Sequence, residues 1–147
     1  MSLRRFLVEP SALQQDLVEL PPEEAAHARK VLRLHPGEEV WLMDGQGLLA
    51  RARVHSLDKR RVLCQVQERT HPDPPRPKLV LCPGLLKGPA MDMLCAKLTE
   101  LAVDEVRPVL TRRSVPRLKD EPARLARWQR LAGQALKQCG AARAPVW

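Results

Sequence analysis

Aromatic residues are scarce: one Phe, three Trp and no Tyr make up 3% of the 147 residues. That scarcity argues against a surface that stacks unpaired bases on rings, as RNA-recognition motifs do. Long apolar stretches are also missing, and no run approaches the ~20 residues of a membrane span. The first ten residues, Met1 to Pro10, lack the apolar core of a signal peptide, so the expected location is cytoplasmic, with no membrane. Only four cysteines occur, Cys64, Cys82, Cys95 and Cys139, far apart and without a Cys-x-x-Cys pair. Each lies among apolar neighbours, so the expectation is four buried thiols rather than a zinc site or disulfides. His27, His35, His55 and His71 are equally scattered, and no metal is expected. No G-x-x-x-x-G-K-[ST] phosphate loop is present either.

What the chain does have is positive charge, unevenly placed. Residues 1–73 hold 11 Lys plus Arg against 11 Asp plus Glu, whereas residues 74–147 hold 14 against 6, the entire net charge of +8. Between Arg107 and Arg143 ten basic residues meet only Asp120 and Glu121. A solvated face normally mixes signs, so this bias favours contact with nucleic acid, made mainly to phosphate and shape.

The backbone divides at 70–77, where Pro72, Pro74, Pro75 and Pro77 exclude helix and central strand. The expected organisation is a first module at 1–70, a linker at 71–77 and a second module at 78–147. In the first module, short strands are expected at Arg4 to Val8, Glu39 to Met43, Leu48 to His55 and Arg61 to Gln67, with a helix from Pro22 to Leu32; such strand-rich modules are usually small barrels. Gly45-Gln-Gly-Leu-Leu-Ala50 fits a dinucleotide-binding spacing. Asp44-Gly45, however, is a hairpin signal, and Ala50-Arg-Ala-Arg-Val-His55 alternates at period two, so a strand is expected there. Arg51, Arg53 and His55 then share one face, either solvated or touching RNA.

In the second module the apolar run Leu79 to Cys82 stops at Pro83-Gly84, and a short loop with Lys87 and Gly88 leads into helical spacing. Strand, loop and helix start form the place where open α/β sheets hold anions, and Lys87 stands at it. Met91, Leu94, Leu98 and Leu101 are the expected buried stripe of a helix from about Ala90 to Ala102. Lys97 and Glu100 flank it, either as a surface ion pair or as residues that brace the pocket beyond Lys87. A strand from Glu105 to Leu110 follows, parallel to the first by the crossover rule, with the basic loop Thr111 to Arg117 at the same end as Lys87. The last helix starts near Asp120 to Pro122 and turns Leu125, Trp128, Leu131, Ala132, Ala135, Leu136 and Cys139 inward. Gly140 ends it.

Taken together, Arg4-Arg-Phe6, Val31-Leu-Arg-Leu34 with Gly37, Asp44-Gly45 with Gly47, Leu86-Lys-Gly88, Met91-Asp92, Lys97 with Thr99-Glu-Leu101, Arg107-Pro108, Arg113-Ser114, Arg127-Trp128 and Gln138-Cys-Gly140 with Arg143 and Pro145 resemble the bacterial small-subunit ribosomal RNA uridine-N3 methyltransferases. The resemblance runs in order and nearly end to end. It implies an α+β chain: a PUA-like RNA-binding barrel, then the first half of an α/β SPOUT trefoil-knot domain. It also implies S-adenosylmethionine as cofactor, small-subunit ribosomal RNA or the assembling subunit as partner, and a homodimer. RNA-contact candidates are Arg4, Arg5, Arg33, Lys87, Arg112, Arg113, Arg117 and Arg143, while Lys97 and Glu100 are the pocket candidates. The family's glycine-rich cofactor loops would lie beyond Trp147, so the chain by itself is expected to bind the cofactor weakly and to be inactive. Pro89-Ala90 and Gly133 depart from the family pattern. Two other functions stay open: a non-catalytic RNA-binding module and a dimerisation scaffold.

Overall fold

The computed structural model describes residues 4–72, 77–114 and 121–147. The chain forms two compact units, 1–73 and 74–147. In the first, strands β1 (Arg4–Leu7), β2 (Leu17–Glu19), β3 (Glu39–Met43), β4 (Leu49–Leu57) and β5 (Val62–Thr70) form one sheet in the order β1-β3-β4-β5-β2. Only β1 and β3 run parallel. Alternation buries Ala50, Ala52 and Val54 of β4 and leaves Arg53 and His55 exposed, as period-two patterning dictates. Two register shifts in β4, at Arg51/Ala52 and Val54/Ser56, mark bulges, which bend a strand.

Helix α1 (Pro22–Lys30) begins with Pro at a position where its missing N–H costs nothing, carries Glu23 and Glu24 in its first turn, and buries the small Ala25 and Ala28. Phe6, Leu13, Val18, Val40, Leu42 and Val62 complete a core with no exposed aromatic. At the Asp44 turn, Asp44 Oδ1 accepts the N–H groups of Gln46, Gly47 and Leu48 at 2.7, 3.0 and 3.0 Å, with Gly45 at φ 73°. The strand β4 follows directly, so the glycine spacing there is a hairpin and not a cofactor loop.

The sequence pattern did not reveal β2 or the one-turn 3-10 helix at Ala12–Gln14 before it. Both depend on a distant residue. Arg69, at the end of β5, donates to the carbonyls of Leu13 and Gln15 at 2.8 and 2.7 Å, and Val66 N–H reaches the Asp16 carbonyl at 2.8 Å.

In the second unit β6 (Val80–Leu81) and β7 (Glu105–Val106) pair in parallel, linked by α2 (Gly88–Glu100). The strand expected to reach Leu110 is shorter, because Pro108 has no N–H for the ladder; pairing resumes at Val109, whose N–H reaches the Pro83 carbonyl at 2.8 Å. On its other side β7 takes Val146 in parallel, with Val106 N–H to Val146 O at 2.7 Å. Helix α3 (Glu121–Cys139) packs on α2, and Gly140 at φ 77° closes it. Trp128 is buried, with its ring 5.5 Å from that of Trp147.

Three expectations are corrected. Leu101 is 72% exposed, since it is the C-cap of α2 and the buried stripe ends at Leu98, with Cys95 beside it. Ala102 follows at φ 54°, a left-handed stop usually made by glycine. Of the four thiols, Cys64 and Cys95 are buried, but Cys82 and Cys139 are exposed. Cys82 leaves β6 on the side opposite Leu81, and Cys139 lies on the last turn of α3, beyond the Ala135–Leu136 contact.

Candidate nucleic-acid interface

Parallel pairing of β6 and β7 brings two loops to one end of the second unit. The first runs from Gly84 to Lys87 and is pinned by Leu85, which is buried against Met91, Cys95 and Trp128 and donates its N–H to the Val109 carbonyl at 2.9 Å. The second is a tight turn from Thr111 to Ser114. Ser114 Oγ accepts the Thr111 N–H at 2.8 Å, and Ser114 N–H reaches the Thr111 carbonyl at 3.0 Å. Arg112 and Arg113 are therefore held at the tip of a short, braced turn, both exposed. Between the loops lies an open groove of about 480 Å³, lined by Gly84, Leu85, Leu86, Lys87, Thr111, Arg113 and Ser114.

The electrostatics of this groove are one-signed. Lys87 is the N-cap of α2 and makes no side-chain cap, and no acid stands in the first turn. Pro89 has no N–H and the Ala90 N–H is taken by the Lys87 carbonyl at 3.1 Å, so the positive field here comes from Lys87 and Arg113, with the helix dipole adding to it rather than a row of free amides. Gly88 opens the helix at φ 32°, in the region that favours glycine. The arrangement suits an anion, approached by two cations, a hydroxyl turn and a helix start.

The other candidates are placed elsewhere. Lys97 and Glu100 pair with each other at 2.7 Å in the last turn of α2, 61% and 41% exposed, and do not line the groove. The ion-pair reading of these two residues is the one the geometry supports; a helix of this length puts its last turn ~15 Å from its first. Arg143 is exposed beyond α3 and also does not line the groove, and Arg117 lies outside the described residues. Arg4, Arg5 and Arg33 belong to the first unit, where Arg4 pairs with Glu38 at 3.1 Å. Arg51 and Arg53 are paired across strands with Glu68 and Glu39, at 3.3 and 3.4 Å, which makes their face a solvated, charge-balanced one.

Two of the clustered arginines are already engaged within the second unit. Arg107 binds Glu105 at 2.5 Å, where Lys78 also binds at 2.6 Å, and hydrogen bonds from Lys78 and then Arg107 hold the Glu105 carboxyl below its usual range. Arg127 donates to both oxygens of Asp92, at 2.9 and 2.6 Å, tying α3 to the first turns of α2. This fork lowers the pKa of Asp92. Sequence spacing could not reveal the pair, since 35 residues separate its members. Thr111 and Ser114 were likewise missed as groove residues; the polar loop at a strand end was their only signal. Among the described residues no cluster of three His, Cys, Asp or Glu could hold a metal, and no helix is long and apolar enough to cross a membrane.

Comparison with known proteins places these features in a family. The RNA methyltransferase domain model matches residues 73–147, and the RNA methyltransferase PUA domain model matches residues 20–67. Ribosomal RNA small subunit methyltransferase E of Bacillus subtilis is 29% identical over 144 residues, covering 92% of this chain and 56% of the relative. The protein of that name from Synechocystis is 30% identical, covering 91% and 43%. The chain thus spans about half the length of the curated relatives it matches. Among solved structures, a probable rRNA-methyltransferase from Porphyromonas gingivalis superposes with a TM-score of 0.84 at 29% identity, covering 98% of this chain and 58% of that one. A ribosomal RNA small subunit methyltransferase E from Neisseria gonorrhoeae, bound to S-adenosyl methionine, gives 0.83 at 30% identity, with coverage of 99% and 61%. With both of its units matched in order, the α+β chain belongs to the RNA methyltransferase family that joins a PUA domain to a methyltransferase domain.

Proposed function

We propose that this chain serves S-adenosylmethionine-dependent methylation of uridine N3 in small-subunit ribosomal RNA, and that the groove between Lys87 and Arg113 receives the RNA. The observation that carries this reading is the convergence of Lys87, Arg113 and the uncapped start of α2 on one groove. Uridine N3 carries a proton at neutral pH and takes part in pairing, so the base must be unpaired and lose that proton before it accepts a methyl group. Fixed cations stabilise the anion that results, and phosphate contacts hold the base in place. S-adenosylmethionine would supply the methyl group. Its sulfonium is a cation, and the charged side chains of the groove are Lys87 and Arg113, so the groove fits RNA rather than the cofactor. The same reading takes the protein to work in the cytoplasm, on ribosomal RNA or the assembling subunit. It also takes it to be a homodimer, in keeping with the exposed Met93, Leu101, Leu110 and Val146 of the second unit.

Fluorescence anisotropy with a small-subunit ribosomal RNA fragment, titrated at several salt concentrations, tests the groove. Lys87→Ala combined with Arg113→Ala should weaken binding and reduce the salt slope by about 2, one unit per lost phosphate contact. An unchanged slope would remove the groove from the RNA path. Sedimentation of the same chain tests the dimer.

A further inference from the structure

The wall of the groove that carries Lys87 has little of its own to hold it. Lys87 caps α2 without a side-chain hydrogen bond, Pro89 follows within the first turn, and no acid stands there to fasten the helix start. Gly88 takes φ 32°, and the space around its missing Cβ is empty to 4 Å. The placement of this turn is therefore set from outside α2.

Two consecutive residues of α3 set it. Trp128 belongs to the cluster that buries Leu85 and Met91, which stand on either side of Lys87 in sequence. Arg127, next to it, sends its guanidinium to Asp92, with Nε to Oδ1 at 2.9 Å and Nη2 to Oδ2 at 2.6 Å. The two contacts differ in kind. Apolar packing is non-directional and fixes how deep the helix lies, whereas a bidentate fork must meet both carboxylate oxygens at once and so fixes the rotation of the helix about its axis. Asp92 is the fifth residue of α2, one turn beyond Gly88, so the rotation it fixes is that of the helix start. Its side chain is 22% exposed, and the charge of Arg130, also on α3, adds to the attraction. Asp92 and Arg127 oppose each other in charge, so the pair adds little to the field of the groove, and neither residue lines it. Any effect on a bound ligand must come through geometry.

We infer that the Asp92–Arg127 fork is a positioning pair for RNA binding: it holds the start of α2 at the rotation that keeps Lys87 on the groove wall, and itself touches no RNA. This role rests on the groove reading above and extends it from the residues that line the groove to the pair that sets their place.

The test is a double-mutant cycle on RNA affinity, measured with the full chain by fluorescence anisotropy on the small-subunit ribosomal RNA fragment at low salt. Asp92→Asn is nearly isosteric and removes one negative charge, so electrostatics alone would tighten binding to a polyanion. A positioning role predicts the opposite sign: about fivefold weaker binding in the wild-type background and no further loss in a Lys87→Ala background, because the pair acts through Lys87. Tighter binding by Asp92→Asn, or the same factor lost with and without Lys87, would overturn the inference and leave the groove standing. An RNA affinity unchanged in Lys87→Ala/Arg113→Ala would remove the groove itself, and this role with it. Circular dichroism fixes an assay temperature below the melting of each variant. Should Asp92→Asn be unfolded there, Arg127→Lys, which keeps the charge but cannot form the fork, takes its place in the cycle with the same expected pattern.

Discussion

Cys64 and Cys95 have no exposed surface, and burial pushes both thiols up to about 12, far from any nucleophilic role at neutral pH. Cys82 and Cys139 are open to solvent. A thiol reagent such as Ellman's should therefore titrate two groups quickly in the native chain. The remaining two should react only in denaturant, and Cys82→Ser should remove half of the fast signal. Four fast thiols would mean that the cores around Cys64 and Cys95 are not closed. The difference between the pairs lies in position along an element. Cys64 is an inward-facing residue within β5 and Cys95 lies mid-way along α2, whereas Cys82 follows the last residue of β6 and Cys139 is the last of α3, where an apolar neighbourhood in sequence no longer guarantees an apolar one in space.

Elements with strong periodicity were legible in the sequence. The bounds of β3 are those expected, and the alternation of β4 overrode a glycine spacing that mimics a cofactor loop. Parallel pairing of β6 with β7 followed from the crossover rule, and with it the meeting of Lys87 and Arg113 at one end. What escaped was set by contacts distant in sequence: β2, held by Arg69 and Val66 from β5, and the tie between α2 and α3, made by Asp92 and Arg127. That tie has a pH signature. Its hydrogen bonds lower the Asp92 pKa from an ordinary 3.8, so its stabilisation is present above that value and fades as pH falls through the depressed one. The gap in urea midpoint between wild type and Asp92→Asn should thus be widest near neutrality and close progressively below pH ~4. A gap that ignores pH would mean that the Asp92 charge contributes nothing to joining the helices.

At the scale of the whole molecule the charge of +8 and a pI near 9.9 work against the folded state on their own, because like charges repel more in a compact chain than in an extended one. An RNA that binds the native form relieves this repulsion and adds mass-action stabilisation, about 2.7 kcal/mol at a hundredfold excess over Kd. Phosphate-dominated contacts release counterions, so the gain must shrink as salt rises. Thermal melting with a ribosomal RNA fragment should therefore show a raised Tm at low salt that returns to the RNA-free value at high salt. Tryptophan fluorescence can follow the transition in each unit, because Trp41 belongs to β3, whereas Trp128 and Trp147 share the core behind the groove. If RNA binding to the groove is coupled to folding, the Lys87→Ala/Arg113→Ala variant should lose part of the gain. An RNA-induced rise in Tm that persisted at high salt would mean that apolar or base-specific contacts carry the binding, contrary to a chain with so few aromatic residues and so one-sided a field.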